Sequence, residues 1–482
     1  MKSNRFFGRE RLVARLSELW GKSAASFVTC RGRRRVGIST LVERFAQVSG
    51  ARFLKIEGVR PTKTTTDEDE RRSFAEQLAS QSEAETACPA NWLDAFIRLS
   101  KEIRDDGRTV VLLDEVSWMG AFDPMFASTL KIAWDNHLKK HDRLVLVVCG
   151  SVSTWIRDNI IGNKAFYGRR SADVVVPELP LRECVKFWGE RAGTLPEREI
   201  LDVLSVTGGV PRYLEEINPS LSARDNTRLL CFLPNSPLRT DFAEMFEDVI
   251  TRQTKLCGRI LRALSSGSKS VSEIAAALRV DKGGDISDAL EQLAESGMVA
   301  RDGGANPATG AAARECPYRL KDNYSRFYLK YVEPSADAID ADSFAFVGLE
   351  QFPGWETDMG LQFENLVLNN FRELLAPLRL ERVMIRSAAP YRRAGSEKTG
   401  RKGCQIDLLV QTPEAFHVVE IKRRAHIGHG IVEEVREKCR RLPHPRNVAV
   451  RTALVYEGEL APSVEACGFF DAIVPFRTLL GL

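Results

Sequence analysis

Short apolar runs separated by charged or turn-forming residues recur through the first 216 positions. Residues 26–30 read as a buried strand, and 52–56, 109–113, 144–149 and 172–176 as apolar strand candidates. Helical spacing of apolar positions occupies 72–81, 92–103 and 125–138. Strands alternating with helices predict an α/β domain, a parallel sheet covered on both sides, over residues 1–216. The polar, Thr-rich stretch 61–70 reads as a mobile loop.

The pattern then changes. Three amphipathic helices are predicted at 256–264, 271–278 and 286–296, followed by short strands at 298–301 and 317–320 across a Gly/Ala-rich turn. Three helices and a hairpin predict a helical and winged-helix domain over 217–334. Its third helix carries Asp285, Asp288, Glu291 and Glu295. That acidic face repels phosphates, which favours an interdomain lid over a reader of the DNA major groove. Residues 335–353 read as a linker. A last α/β domain, 354–482, has a helix at 357–375, strands at 383–385, 405–410, 417–421 and 453–455, and a charged helix at 431–442.

A chain of 482 residues with 44% hydrophobic and 28% charged residues fits several ordinary globular domains. No apolar run approaches the ~20 residues that cross a bilayer, so no membrane partner is expected. The ten cysteines are scattered singly, several in apolar runs. Buried free thiols are the expectation, and with them a cytoplasmic location. Net charge is only +4, but 14 Lys/Arg against 7 Asp/Glu lie between Arg386 and Arg446. Such a segment suits either nucleic-acid phosphates or plain solvation.

Chemistry concentrates first at Gly32-Arg33-Arg34-Arg35-Val36-Gly37-Ile38-Ser39-Thr40. Strand, glycine-bracketed loop and helix start form an anion cradle of main-chain N–H groups. The spacing is that of the P-loop G-x-x-x-x-G-K-[ST], with Ile38 in the lysine position. Downstream, the apolar run 110–113 ends in Asp114-Glu115, a Walker B pattern in which the first carboxylate and Ser39 hold Mg²⁺ and the second polarises water. One charge-assisted hydrogen bond is worth ~1.5–3 kcal/mol, so the missing ammonium weakens binding roughly ten- to a hundredfold. ATP or ADP binding with weak or absent turnover is the expectation.

These motifs resemble the archaeal-type ATPases of the AAA+/STAND group of P-loop proteins. Phe7-Gly8-Arg9-Glu10 resembles the family's start, near the adenine, and Gly32 to Gly37 its arginine-bearing loop. Cys149-Gly150-Ser151 is similar to its sensor strand, and Tyr167-Gly168-Arg169-Arg170 to the segment that supplies an arginine finger. The Gly208–Leu214 stretch, with Pro211 and Arg212, resembles the G-G-x-P segment that closes over nucleotide, and Tyr318 to Phe327 the end of the winged helix. The resemblance implies nucleotide contacts at these positions. Arg169 or Arg170 acts across a homo-oligomer interface or pairs with local carboxylates; both remain open.

A second acidic constellation follows. Asp407 and the Glu420-Ile421-Lys422 triplet fall on consecutive predicted strands, and Glu420 and Lys422 share a face. Two carboxylates and a lysine suit Mg²⁺-assisted phosphodiester hydrolysis, with Glu364 on the preceding helix as a third carboxylate. The set resembles the PD-(D/E)xK nuclease superfamily, with Ile406 where its motif has proline. The resemblance implies a restriction-endonuclease-like fold, catalytic roles for Asp407, Glu420 and Lys422, and metal held by Asp407, Glu420 and Glu364. His426 and His429 lack metal-binding neighbours in sequence. Two functions remain: a nucleotide-gated, metal-dependent nuclease acting on DNA or RNA, or a degenerate nucleotide-binding module that grips nucleic acid or protein without cutting.

Overall fold

The run 26–30 is buried throughout because both faces of its strand are covered. In the computed structural model, which describes residues 6–150, 153–249, 254–281, 283–313, 316–395 and 402–482, β1 (Ser26–Gly32) is the fourth strand of a five-stranded parallel sheet. The others are β2 (Arg52–Glu57), β3 (Thr109–Asp114), β4 (Leu144–Cys149) and β5 (Arg170–Val176), in the order β2-β3-β4-β1-β5. Alternate residues feed two cores. Phe27, Val111, Leu113, Leu146 and Val148 pack with Phe74, Trp92, Phe96 and Phe126. Val28, Cys30, Val110, Leu112, Val145 and Val147 pack with Leu41, Val42 and Phe45 of α1 (Ile38–Val48). Asp114 continues the second series, so its side chain is carried to the α1 face.

Two expectations shift here. The stretch 61–70 is not loop throughout, because α2 (Asp67–Ala79) starts within it. Thr66 caps this helix reciprocally with Asp69: the Asp69 N–H donates to Thr66 Oγ1 at 3.2 Å and the Thr66 N–H to Asp69 Oδ2 at 2.9 Å. Acidic residues crowd its first turn, where the dipole favours them. α3 (Phe126–Asn136) lies on the same side of the sheet as α2.

By contacts the chain divides into two compact units, Met1–Leu179 with Met245–Thr251, and Pro180–Glu244 with Arg252–Leu482. The second contains α4 (Thr254–Leu264), α5 (Val271–Leu278) and α6 (Gly284–Glu295), then a two-stranded antiparallel sheet of β6 (Val299–Arg301) and β7 (Tyr318–Leu320). It also contains α7 (Trp355–Asn369) and a mixed sheet of β8 (Ser387–Arg393), β9 (Cys404–Gln411), β10 (Ala415–Ile427), β11 (Ala449–Leu460) and β12 (Ala472–Pro475), ordered β12-β11-β10-β9-β8. β8, β9 and β10 pair antiparallel; β10, β11 and β12 pair parallel, with α8 (Gly430–Arg441) as the crossover. No strand forms at 383–385. The edge strand starts at Ser387 and breaks register around Pro390, whose missing N–H an edge tolerates.

The close approach of β1 and β5 at the head of the P-loop requires a glycine. A Cβ on Gly32 would stand 2.4 Å from the Val176 carbonyl oxygen. Gly32→Ala is therefore expected to cost about 1–3 kcal/mol of stability through overpacking, read as a lowered urea midpoint. An unchanged midpoint would show that the strands separate freely there.

Candidate functional site

The P-loop is built from its own backbone turns and one long-range clamp. Arg35 (φ 69°) and Gly37 (φ 80°) adopt left-handed backbone, and α1 starts directly after Gly37. Val36 is fully buried and Arg33 nearly so. From the N-terminal segment, Arg9 donates to the Val36 carbonyl at 2.6 Å and the Pro177 carbonyl at 2.9 Å. Gly8 and Arg9, both at positive φ, thus turn the chain onto the loop. Ile38 is half-buried and packs against the apolar cluster under α1. Ser39 and Thr40 occupy the first turn of α1, both partly exposed.

The Asp114 carboxylate, 7% exposed, gathers this face. Its Oδ2 accepts the Ser39 hydroxyl at 2.5 Å and lies 3.2 Å from the Lys55 ammonium. Its Oδ1 accepts the Cys149 thiol at 3.0 Å. Burial first, and the Asp114 charge second, push the Cys149 thiol well above its usual range, so it stays a protonated donor. Glu115 follows in left-handed conformation, its carboxylate beside the end of β4, where a Cβ on Gly150 would stand 3.5 Å from Oε2. P-loop, Walker B pair and the end of β4 are therefore brought together. Ser151 lies outside the described residues.

Arg169 is anchored within its own unit. Its guanidinium meets Asp135 of α3 at 2.9 Å from both Nε and Nη2, and holds that carboxyl well below the usual range. In the second unit, Pro211 opens a short helix and Arg212 pairs with Glu216 at 2.8 Å and Glu215 at 3.4 Å.

The second acidic centre assembles where β9 meets β10. The Ile421 N–H donates to Asp407 Oδ2 at 2.9 Å. Glu420, 1% exposed, receives two ammonium groups: Lys422 Nζ at 3.1 Å on Oε1, and Lys438 of α8 on Oε2. Lys438 also lies 3.9 Å from Asp407 Oδ1, and Lys422 reaches Glu434 of α8 at 2.9 Å. Burial pushes the Asp407 carboxyl up to about 6, and the Glu364 charge adds to that rise against the pull of Lys438. Burial likewise raises Glu364 and Glu420. The three carboxyls predicted from sequence thus share one region. Of the run Lys422-Arg423-Arg424, Arg423 is buried against Glu457 and Glu356, and Arg424 is exposed. Sequence reading missed Lys55 and Lys438; neither lies in a motif.

Residues 6–217 match the family model described as an ATPase domain predominantly from Archaea. An uncharacterised protein of Methanocaldococcus jannaschii is 22% identical over 345 residues, 70% of this chain and 71% of that protein. The Walker-type ATPase of Pyrococcus abyssi superposes with a TM-score of 0.50 at 18% identity, covering 67% of this chain and 96% of that one. The Aeropyrum pernix ORC2 protein, solved as ADPNP-ADP complexes, gives a TM-score of 0.40 at 14% identity, covering 71% and 97%. Residues 6–217 are thus similar in sequence to that ATPase domain, their parallel sheet has the P-loop fold, and the chain also contains a C-terminal mixed sheet.

Removing one partner of a buried ion cluster leaves a charge uncompensated. Lys438→Met is expected to destabilise the protein by about 3–5 kcal/mol, with much of that recovered in Lys438→Met/Glu420→Gln, measured by chemical denaturation. A loss below about 1 kcal/mol would place the pair among weak surface contacts.

Proposed function

We propose that this protein binds ATP or ADP in the P-loop cradle with weak or absent turnover, and that bound nucleotide regulates a C-terminal domain that engages nucleic acid, DNA in the first instance, without cutting it. The observation that carries the reading is the ring of polar groups around Asp114, opposite a preserved main-chain anion cradle. The loop offers N–H groups and a helix start for phosphates, and Glu115 sits at the same strand end for a water. Ile38 adds no charge.

The resemblances imply Mg²⁺ at both acidic centres. Neither fits as arranged. The Asp114 oxygens are taken by a hydroxyl, a thiol and an ammonium, and the Glu420 oxygens by two ammonium groups. Among the described residues, no group of three or more His, Cys, Asp or Glu side chains is gathered to hold a metal ion. Phosphoryl transfer depends on positive charge around the γ-phosphate, and a site with neither the P-loop lysine nor an open metal position stabilises nucleotide better than its transition state.

A second reading, a metal-dependent nuclease, is favoured by the proximity of Asp407, Glu420 and Glu364, which raise one another's pKa. Cleavage then requires Lys438 to leave Glu420.

Two assays separate the readings. Radiolabelled ATP is expected to bind with turnover near background, and Ile38→Lys to raise turnover about tenfold or more; robust wild-type ATPase undiminished by Glu115→Gln contradicts the proposal. Supercoiled plasmid is expected to be retarded in a salt-dependent way and to remain intact in Mg²⁺ or Mn²⁺. Nicking abolished by Asp407→Ala establishes the nuclease reading instead.

A further inference from the structure

We infer that Lys55 supplies the cation of the nucleotide site: its ammonium stands where a divalent ion would stand, between Ser39, Asp114 and the phosphates, so that nucleotide is held without Mg²⁺. The inference rests on the nucleotide-binding reading above and deepens it.

Four observations converge on Lys55. The first is position. Its Nζ lies 3.2 Å from Asp114 Oδ2, the same oxygen that accepts the Ser39 hydroxyl at 2.5 Å. In a P-loop site of ordinary sequence that hydroxyl and that carboxylate address the metal; here the carboxylate oxygen also meets a lysine ammonium.

The second is how the fold puts the side chain there. β2 and β3 pair in parallel with Glu57 opposite Asp114 and Lys55 opposite Leu112. Leu54 and Ile56 enter the core on the far face, so Lys55 and Glu57 share the α1 face with Asp114. β2 is an edge strand, and two glutamines, Gln77 of α2 and Gln81 just beyond its end, hold its exposed backbone in place. Gln81 accepts the Lys55 N–H at 2.9 Å and donates to its carbonyl at 2.6 Å. Gln77 accepts the Glu57 N–H at 2.9 Å and donates to its carbonyl at 2.8 Å.

The third is charge. Lys55 also meets Glu57 Oε2 at 2.9 Å, so one ammonium serves two carboxylates. Its side chain, 36% exposed, has room to reach a further oxygen beside Asp114. The fourth is the sequence itself: Ile38 removed the one ammonium that the loop would otherwise provide. An ammonium with three donors meets a carboxylate and a phosphate oxygen together.

The test is binding of fluorescent mant-ADP to the full chain, titrated in EDTA and in millimolar Mg²⁺. Wild type is expected to bind with the same affinity, within about twofold, in both. Lys55→Met is expected to weaken binding in EDTA about ten- to a hundredfold, the worth of one charge-assisted hydrogen bond. Lys55→Arg keeps the charge and is expected to retain most of the affinity, which separates loss of the cation from loss of the fold. Wild-type binding that requires Mg²⁺, or Lys55→Met binding in EDTA as tightly as wild type, overturns the inference and leaves nucleotide binding standing. No binding by wild type in either condition removes both.

Discussion

A carboxylate buried to 7% exposure at the end of a central strand has to be neutralised, and the way Asp114 is neutralised organises the first unit. Its three donors come from three different elements: Ser39 from α1, Lys55 from β2 and Cys149 from β4. One side chain thereby ties the edge strand, a central strand and the P-loop helix to β3. The network is closed within the protein, so the anion cradle next to it is held in shape by side-chain chemistry. That is consistent with a loop that has kept its glycines and helix start while losing its lysine.

The C-terminal sheet meets the same demand in the same way. Glu420 is almost wholly buried on β10, and Lys422 from its own strand and Lys438 from the crossover helix both donate to it. Glu434 stands one helical turn before Lys438 and completes the alternation of charge. In both centres a lysine ammonium lies against the buried carboxylate oxygens. Charge balance is internal, and the domains keep their acidic residues in a low-dielectric setting.

Much of the fold was legible because the central strands are buried on both faces. Runs such as 109–113 and 144–149 are continuous in apolar residues, and they became β3 and β4. The P-loop and Asp114-Glu115 were legible because their chemistry is local: a few consecutive residues carry it. Lys55 and Lys438 were not. Each sits in an ordinary strand or helix, and its meaning depends on strand register in one case and on the crossover over β9 and β10 in the other. The start of α2 was missed because Thr66 and the acidic residues after it read as solvated loop, although Thr66 and Asp69 form a capping box. The strand expected at 383–385 lies instead at Ser387–Arg393, an edge strand whose Pro390 interrupts the apolar pattern and is tolerated there.

The most direct test of the account is a crystal structure of the full chain grown with ADPNP and Mg²⁺. The account predicts phosphates in the cradle of residues 32–40, with Lys55 Nζ within about 3 Å of both Asp114 and a phosphate oxygen. A hydrated Mg²⁺ on Ser39 with Lys55 turned away to solvent would contradict it.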